Sequence, residues 1–205
     1  MKRRQILLGG GTIVAVIAGI TLTSPEQNQS GTEKTITTEN GETTIQVDGY
    51  ATQPTTLLLD NSDFNTNLLP NERETLVNEE IPVLIEGRKG ILVNTTHTTV
   101  NSDVLLIQGI GVFENRSRAQ EHYRTEAQQL SENSAVNTFE TEIGTQSTGG
   151  VYQIDSPLST VVFRDTNITV KVGYSDTNTT ETDPLISKSN KYANKIATKI
   201  NETEE

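Results

Sequence analysis

The side chains with a claim to chemistry are two histidines, a few paired carboxylates, one arginine at a turn and a row of lysines. His97 sits in the polar run Asn94-Thr-Thr-His-Thr-Thr, and His122 stands beside Tyr123. A metal centre needs ligands converging from fixed spacings, and neither H-x-x-x-H nor H-E-x-x-H occurs. Both histidines are therefore expected at the surface, with no metal. A serine nucleophile needs a base and an oxyanion site. No G-x-S-x-G is present, and Thr145-Gln-Ser-Thr-Gly-Gly150 reads as a turn. Gly9-Gly10-Gly11 lies inside an apolar run, so it cannot cradle a phosphate, and dinucleotide and Walker fingerprints are absent. Asp60 with Asp63 and Glu72 with Glu74 have the groups for acid–base work, but in so acidic a chain such pairs follow from composition. The Asp60-Asn-Ser-Asp63 loop could hold a cation weakly, without the ligand count of a calcium loop. The expectation is no catalytic residue, no metal and no cofactor.

Arg164 and Asp165 form the most distinctive polar pair. Arg164 follows an apolar run and either pins a turn, the commoner use, or recognises a carboxylate through its planar fork. Lys188, Lys191, Lys195 and Lys199 recur at helical spacing. They read as a solvated stripe or, more sharply, as a docking face for an acidic protein or envelope partner.

Lys2-Arg3-Arg4 precede an apolar run from Ile6 to Leu22 that contains no acid. Basic residues before an apolar stretch are the layout of an export signal or N-terminal anchor, with the positive end kept in the cytoplasm. Arg3-Arg4-Gln5-Ile6-Leu7 resembles a twin-arginine signal; a plain basic n-region is the alternative. The run is at the short end of what spans a bilayer. Its exit, Thr21-Leu-Thr-Ser-Pro25, lacks an A-x-A site, which favours a retained anchor over cleavage. This gives three parts: a signal or anchor at 1–24, a polar tether at 25–33, and one extracytoplasmic domain at 34–205. The partner implied by the leader is the membrane.

Removing the charges of Lys2, Arg3 and Arg4 from the formal net charge of −11 leaves −14 on the remainder. Such a surface disfavours nucleic acid as a partner. Acid excess with few lysines fits a protein that stays soluble in brine, where screening makes acidic self-repulsion cheap; a halophilic, archaeal source is the expectation. With no Cys, neither disulfides nor cysteine–zinc sites are available. With no Trp and few aromatics, the core must come mainly from Val, Ile and Leu. Of the N-x-S/T sequons, which accept N-glycans outside the cell, Asn28 and Asn178 fall on expected loops.

Asn40-Gly41 between β-rich runs signals a hairpin of residues 34–38 and 43–47. Thr55–Leu59 reads as a short strand, Asp60–Pro70 as loop, and Glu72–Glu79 as a short helix. Pro82–Glu86, Gly90–Val100 and Asp103–Phe113 read as strands, the last almost continuously apolar. Ser117–Glu132 is a helix with Ala119, Tyr123, Ala127 and Leu130 in phase; Ser117 with Gln120 fits a capping box, with Asn115 the rival cap. Asn137–Ile143, Val151–Ile154, Thr160–Arg164 and Asn167–Tyr174 read as strands. A final helix starts with Asp183 as N-cap and Pro184 inside it. The fold class is α+β: a mainly antiparallel sheet with two helices on one face, preceded by an N-terminal apolar helix.

Gly111-Val-Phe-Glu-Asn before Ala119 and Tyr123, then Val162-Phe-Arg-Asp-Thr-Asn-Ile-Thr-Val-Lys-Val-Gly173, then Tyr192-Ala-Asn-Lys-Ile-Ala197, resemble anchored or lipidated extracytoplasmic domains of halophilic archaea. Loosely similar domains occur in actinobacterial envelope proteins. The resemblance covers about half the chain. It implies a strand, a helix, a hairpin with F-R-x-x-N at its turn and a closing helix, and it implies a location. It transfers no catalytic residue, and the lipobox cysteine of many such proteins is missing here. The expected function is a membrane-tethered or secreted module of the cell envelope that binds without catalysing. The alternatives are a purely structural envelope protein and an enzyme of unrecognised type.

Overall fold

A computed structural model of the 205-residue chain describes residues 33–37, 44–60, 62–64, 69–77, 90–99 and 103–203. The apolar leader, the tether with Asn28, the turn at 38–43 and the strand expected at Pro82–Glu86 lie outside those residues. Among the described residues, no helix is long and apolar enough to cross a membrane.

The expected hairpin forms. Strand β1 (Glu33–Thr37) pairs antiparallel with β2 (Thr44–Asp48) as a separate two-stranded sheet, with Ile36, Ile45 and Val47 turned inward. A short helix α1 (Pro54–Leu57) follows. It replaces the strand expected at Thr55–Leu59: Pro54 sits in its first turn, where a missing N–H costs nothing, and Leu57 and Leu59 are buried.

The main sheet has seven strands, all antiparallel. They are β3 (Leu69–Val77), β4 (Gly90–Thr98), β5 (Val104–Phe113), β6 (Val136–Phe139), β7 (Gln146–Tyr152), β8 (Leu158–Asp165) and β9 (Ile168–Asp176), in spatial order β3-β4-β5-β9-β8-β7-β6. The helix expected at Glu72–Glu79 is strand β3, paired with β4 from Leu69–Thr98 to Val77–Ile91. Glu, Arg and Leu favour helix only weakly, and pairing with an open ladder outweighs that preference. The strand expected at Asn137–Ile143 ends at Phe139. The chain then turns to bury Ile143.

Helices α2 (Arg116–Glu132) and α3 (Thr182–Glu202) pack on opposite faces, not on one face as the sequence led us to expect. The register decides this. In a strand, neighbouring side chains alternate between faces. On β9, Thr169 and Lys171 bond His122 and Glu126 of α2, whereas Tyr174 meets Tyr192 of α3. Ser159, opposite Tyr174 on β8, bonds Ser189 of α3 at 2.7 Å. The physical reason lies in the central strands: Thr160 to Phe163 are all buried, so both faces need cover.

The principal core lies on the α3 side. Leu106, Ile110 and Val112 of β5, Val161 and Phe163 of β8, and Val170, Val172 and Tyr174 of β9 meet Leu185, Tyr192, Ala193, Ile196 and Ile200 of α3. Each large aliphatic buried there contributes roughly 1.5–3 kcal/mol. The β1–β2 hairpin and α1 pack into the same cluster. Beneath α2 lies a thinner layer with Phe113, Ala119, Leu130 and Val162 buried. Asn115 caps α2, its Oδ1 accepting from the Arg118 N–H at 3.0 Å, so the rival cap wins over Ser117. Helix α3 begins at Thr182 after Glu181, which places Asp183 inside the first turn, where its charge still complements the helix dipole.

Candidate functional site

Two side-chain amides fasten the segment between β2 and β3 to the sheet. Asn167, fully buried in the β8–β9 turn, accepts from the Tyr50 N–H at 2.7 Å and donates to the Tyr50 carbonyl at 2.9 Å and the Phe113 carbonyl at 3.0 Å. Gln108, fully buried in β5, treats Leu59 the same way, accepting from its N–H at 2.8 Å and donating to its carbonyl at 3.2 Å. Gly49, at φ +137°, leaves room for Asn167; a Cβ there would collide with the amide.

His97 is buried, not superficial. It lies on the covered face of β4, edge-on to Phe64 at 5.3 Å, with Nδ1 3.5 Å from Gln108 Nε2. The run around it looks polar, but every second residue points inward. Burial lowers its pKa below the ordinary value. His122 is half-buried between the Phe113 ring, at 5.0 Å, and the Thr169 hydroxyl, at 3.0 Å. Among the described residues, no group of three or more His, Asp or Glu side chains is placed to hold a metal ion. In the acidic loop, Asp60 accepts from the Ser62 N–H at 2.8 Å and from its hydroxyl. Asp63 pairs with Lys199 at 2.8 Å.

The lysine stripe divides in two. Lys199 also donates to the Leu58 carbonyl at 2.9 Å, and Lys195 donates to the Asp63 carbonyl. Both therefore hold the loop after α1 against α3. Lys188 and Lys191, nearer the start of the helix, have no ion-pair partner among the described residues; Lys191 is exposed and Lys188 partly so.

Arg164 is 8% exposed at the end of β8, on the α2 side. Its Nε donates to Gln146 Oε1 at 3.2 Å and its Nη1 to the Thr166 carbonyl at 2.8 Å. The second bond holds a turn in which Thr166 adopts φ +47°, a left-handed conformation costly for a β-branched residue. Arg164 thus pins a turn. Burial lowers its pKa; Asp165 opposes that, and Arg116 and Arg124 add to it as like charges. Asp165, on the other face, accepts from the Thr145 hydroxyl at 3.0 Å. The sequence reading missed Gln108, and placed Asn167 at the hairpin turn without its bonds to Tyr50 and Phe113. The signal for Gln108 was a lone amide in an otherwise apolar strand.

No protein-family model matches the chain, and no curated protein matches it in sequence. The fold is nonetheless one seen before in a solved structure. The extracellular domain of PknH from Mycobacterium tuberculosis shares it at a TM-score of 0.53 and 14% identity, over 72% of this chain and 94% of that one. At that identity the likeness concerns the fold.

Proposed function

We propose that the chain is an extracytoplasmic interaction module of the cell envelope, tethered by its N-terminal segment, that binds a partner without catalysing a reaction. The observation that carries this reading is the fold shared with nearly the whole of the PknH extracellular domain. The basic-then-apolar leader of Lys2 to Leu22 supports the same placement. Acidity of the body suits a saline exterior and a halophilic source, and Asn178, exposed in the turn after β9, suits glycosylation. Lys188 and Lys191 form the docking face for an acidic protein or envelope component, since Lys195 and Lys199 are engaged within the chain. The test is affinity capture from membranes in molar salt with the full chain. A stoichiometric partner is expected, and it is lost when Lys188→Glu and Lys191→Glu are combined. Capture indifferent to that reversal removes the docking face, and no partner under any condition favours a purely structural envelope role.

A further inference from the structure

The segment from α1 to Phe64 lies against the α3 side of the sheet and is fastened along its length. Lys199 donates to the Leu58 carbonyl and pairs with Asp63, and Lys195 donates to the Asp63 carbonyl. Gln108 grips the backbone of Leu59. Phe64 sets its ring edge-on to His97 at 5.3 Å and to Tyr192 at 5.8 Å. Both the amide of Gln108 and the ring of Phe64 therefore meet His97.

The bonds to Leu59 settle which end of the Gln108 amide is which. The Leu59 N–H can only donate, at 2.8 Å, and its carbonyl can only accept, at 3.2 Å, so Oε1 faces the first and Nε2 the second. Nε2 also stands 3.5 Å from His97 Nδ1. That contact is long for a hydrogen bond, but it puts a donor in front of Nδ1. Nδ1 is thus bare, and the neutral ring carries its proton on Nε2. A further proton must go to Nδ1, where it sets a cationic N–H against an amide N–H with no acceptor between them. Gln108 can accept from the imidazolium only by turning its amide over. The turned amide presents nitrogen to the Leu59 N–H and oxygen to the Leu59 carbonyl, so both bonds fail together.

We propose that His97, Gln108 and Leu59 form a proton-operated latch on this segment, closed while His97 is neutral and released when it takes up a proton. The surroundings do nothing to hold the cation. Among the described residues, no carboxylate bonds His97: Asp63 is committed to Lys199, and Asp60 to Ser62. From α3 come Tyr192 and the cations Lys195 and Lys199. On β5 the neighbours across the ladder, Leu106 and Gln108, are uncharged, and β3 sets Pro70 opposite His97 and Arg73 opposite Thr95. Burial also holds the ring's pKa below its ordinary value. A released ring in water regains about 6.5 and takes up the proton first. Closure is therefore complete above that pH and is lost as pH falls through the lowered value of the closed form. Leu57 and Leu59 are buried, so release uncovers apolar core in acid alone.

The test is hydrogen exchange of the full chain, read amide by amide as protection over the intrinsic rate. Between about pH 7.5 and about pH 5, protection of the Leu59 N–H is expected to fall about tenfold or more, while that of Val170 in central strand β9 stays within about threefold. His97→Gln keeps an acceptor within reach of Gln108 and cannot titrate, so it abolishes the fall. His122→Gln, on the other side of the sheet, leaves the fall intact. Gln108→Met leaves Leu59 weakly protected at both pH values, with no step between them; should that variant not fold, His97→Gln decides alone. Ring-nitrogen NMR shifts of His97 are expected to report the Nε2–H form at neutral pH. The Nδ1–H form, a fall that survives His97→Gln, or an equal fall at Val170 overturns the latch.

Discussion

The side chain of Asn167 makes both hydrogen bonds of a β-ladder pair with the backbone of Tyr50, a residue 117 positions earlier. No strand runs there; one amide substitutes for it. Asn167→Ala removes the side-chain bonds to the buried N–H and carbonyl of Tyr50, and unfolding in urea is expected to report a loss of about 2–4 kcal/mol. Asn167→Asp, nearly isosteric, presents oxygen to the two carbonyls and recovers little. Full stability in the aspartate variant would show that the bonds to Tyr50 and Phe113 are dispensable.

The same burial decides among the sequons. Asn167-Ile-Thr is an acceptor in sequence only, because its amide is fully buried. Asn178-Thr-Thr lies exposed. Glycopeptide mass spectrometry of protein from its native host is expected to find Asn178 modified and Asn167 bare. A glycan on Asn167 is incompatible with the fold described.

Gly149 on β7 lies against the Phe139 ring, which a Cβ would overlap. Gly149→Ala is therefore expected to cost about 1–3 kcal/mol through overpacking. Adding Phe139→Leu should restore part of the loss, because the obstruction is the ring. Additive effects in the double variant would place the cause in the backbone instead.

Lys199 and Asp63, 2.8 Å apart and both partly buried, join α3 to the loop after α1. A double-mutant cycle with Lys199→Met and Asp63→Asn is expected to return a coupling near 1 kcal/mol at low salt. The coupling should shrink in molar salt, where the screening length falls to roughly 3 Å. A coupling of zero at low salt would make the contact ornamental.

Two groups give opposite pH limits. His97 has a lowered pKa in the fold because burial disfavours its charged form. The unfolded chain therefore takes up the proton first as pH falls from about 6.5, and stability drops until the folded pKa is passed. Tyr174 is raised to about 12, by burial first and then by Asp176 and Tyr192. Its contribution is intact below the ordinary value near 10 and is lost as pH rises from there through about 12. Thermal midpoints against pH should show both flanks. His97→Gln should flatten the acid flank and Tyr174→Phe the alkaline one.

Much of the fold was legible because the central elements keep clear periods. β4, β5, β8, β9 and both long helices fall where hydrophobic spacing places them, and β1 pairs antiparallel with β2 as expected. Strand β3 was not legible, since Glu72-Arg-Glu-Thr-Leu-Val77 carries residues at home in either state, and only its partner β4 settles the matter. The sides of the helices were legible in principle: Val161 and Phe163 point one way and Val162 the other, which already demands two covers. Of the candidate site, Arg164 stood out as the charge ending an apolar strand. Gln108 did not, because nothing local in the sequence shows that Leu59 lies against β5.

The amide of Asn167 has a consequence for the order in which the molecule can be made. Tyr50 emerges from the ribosome long before its partner exists, and Ile196 and Ile200, which seal the core, come later still. At roughly 5–20 residues per second, the early hairpin waits roughly 8–30 seconds for Ile200, with Ile36, Ile45 and Val47 uncovered. The nascent chain is thus committed to a late, single closure, and any factor that shields apolar strands during translation would find its binding window here.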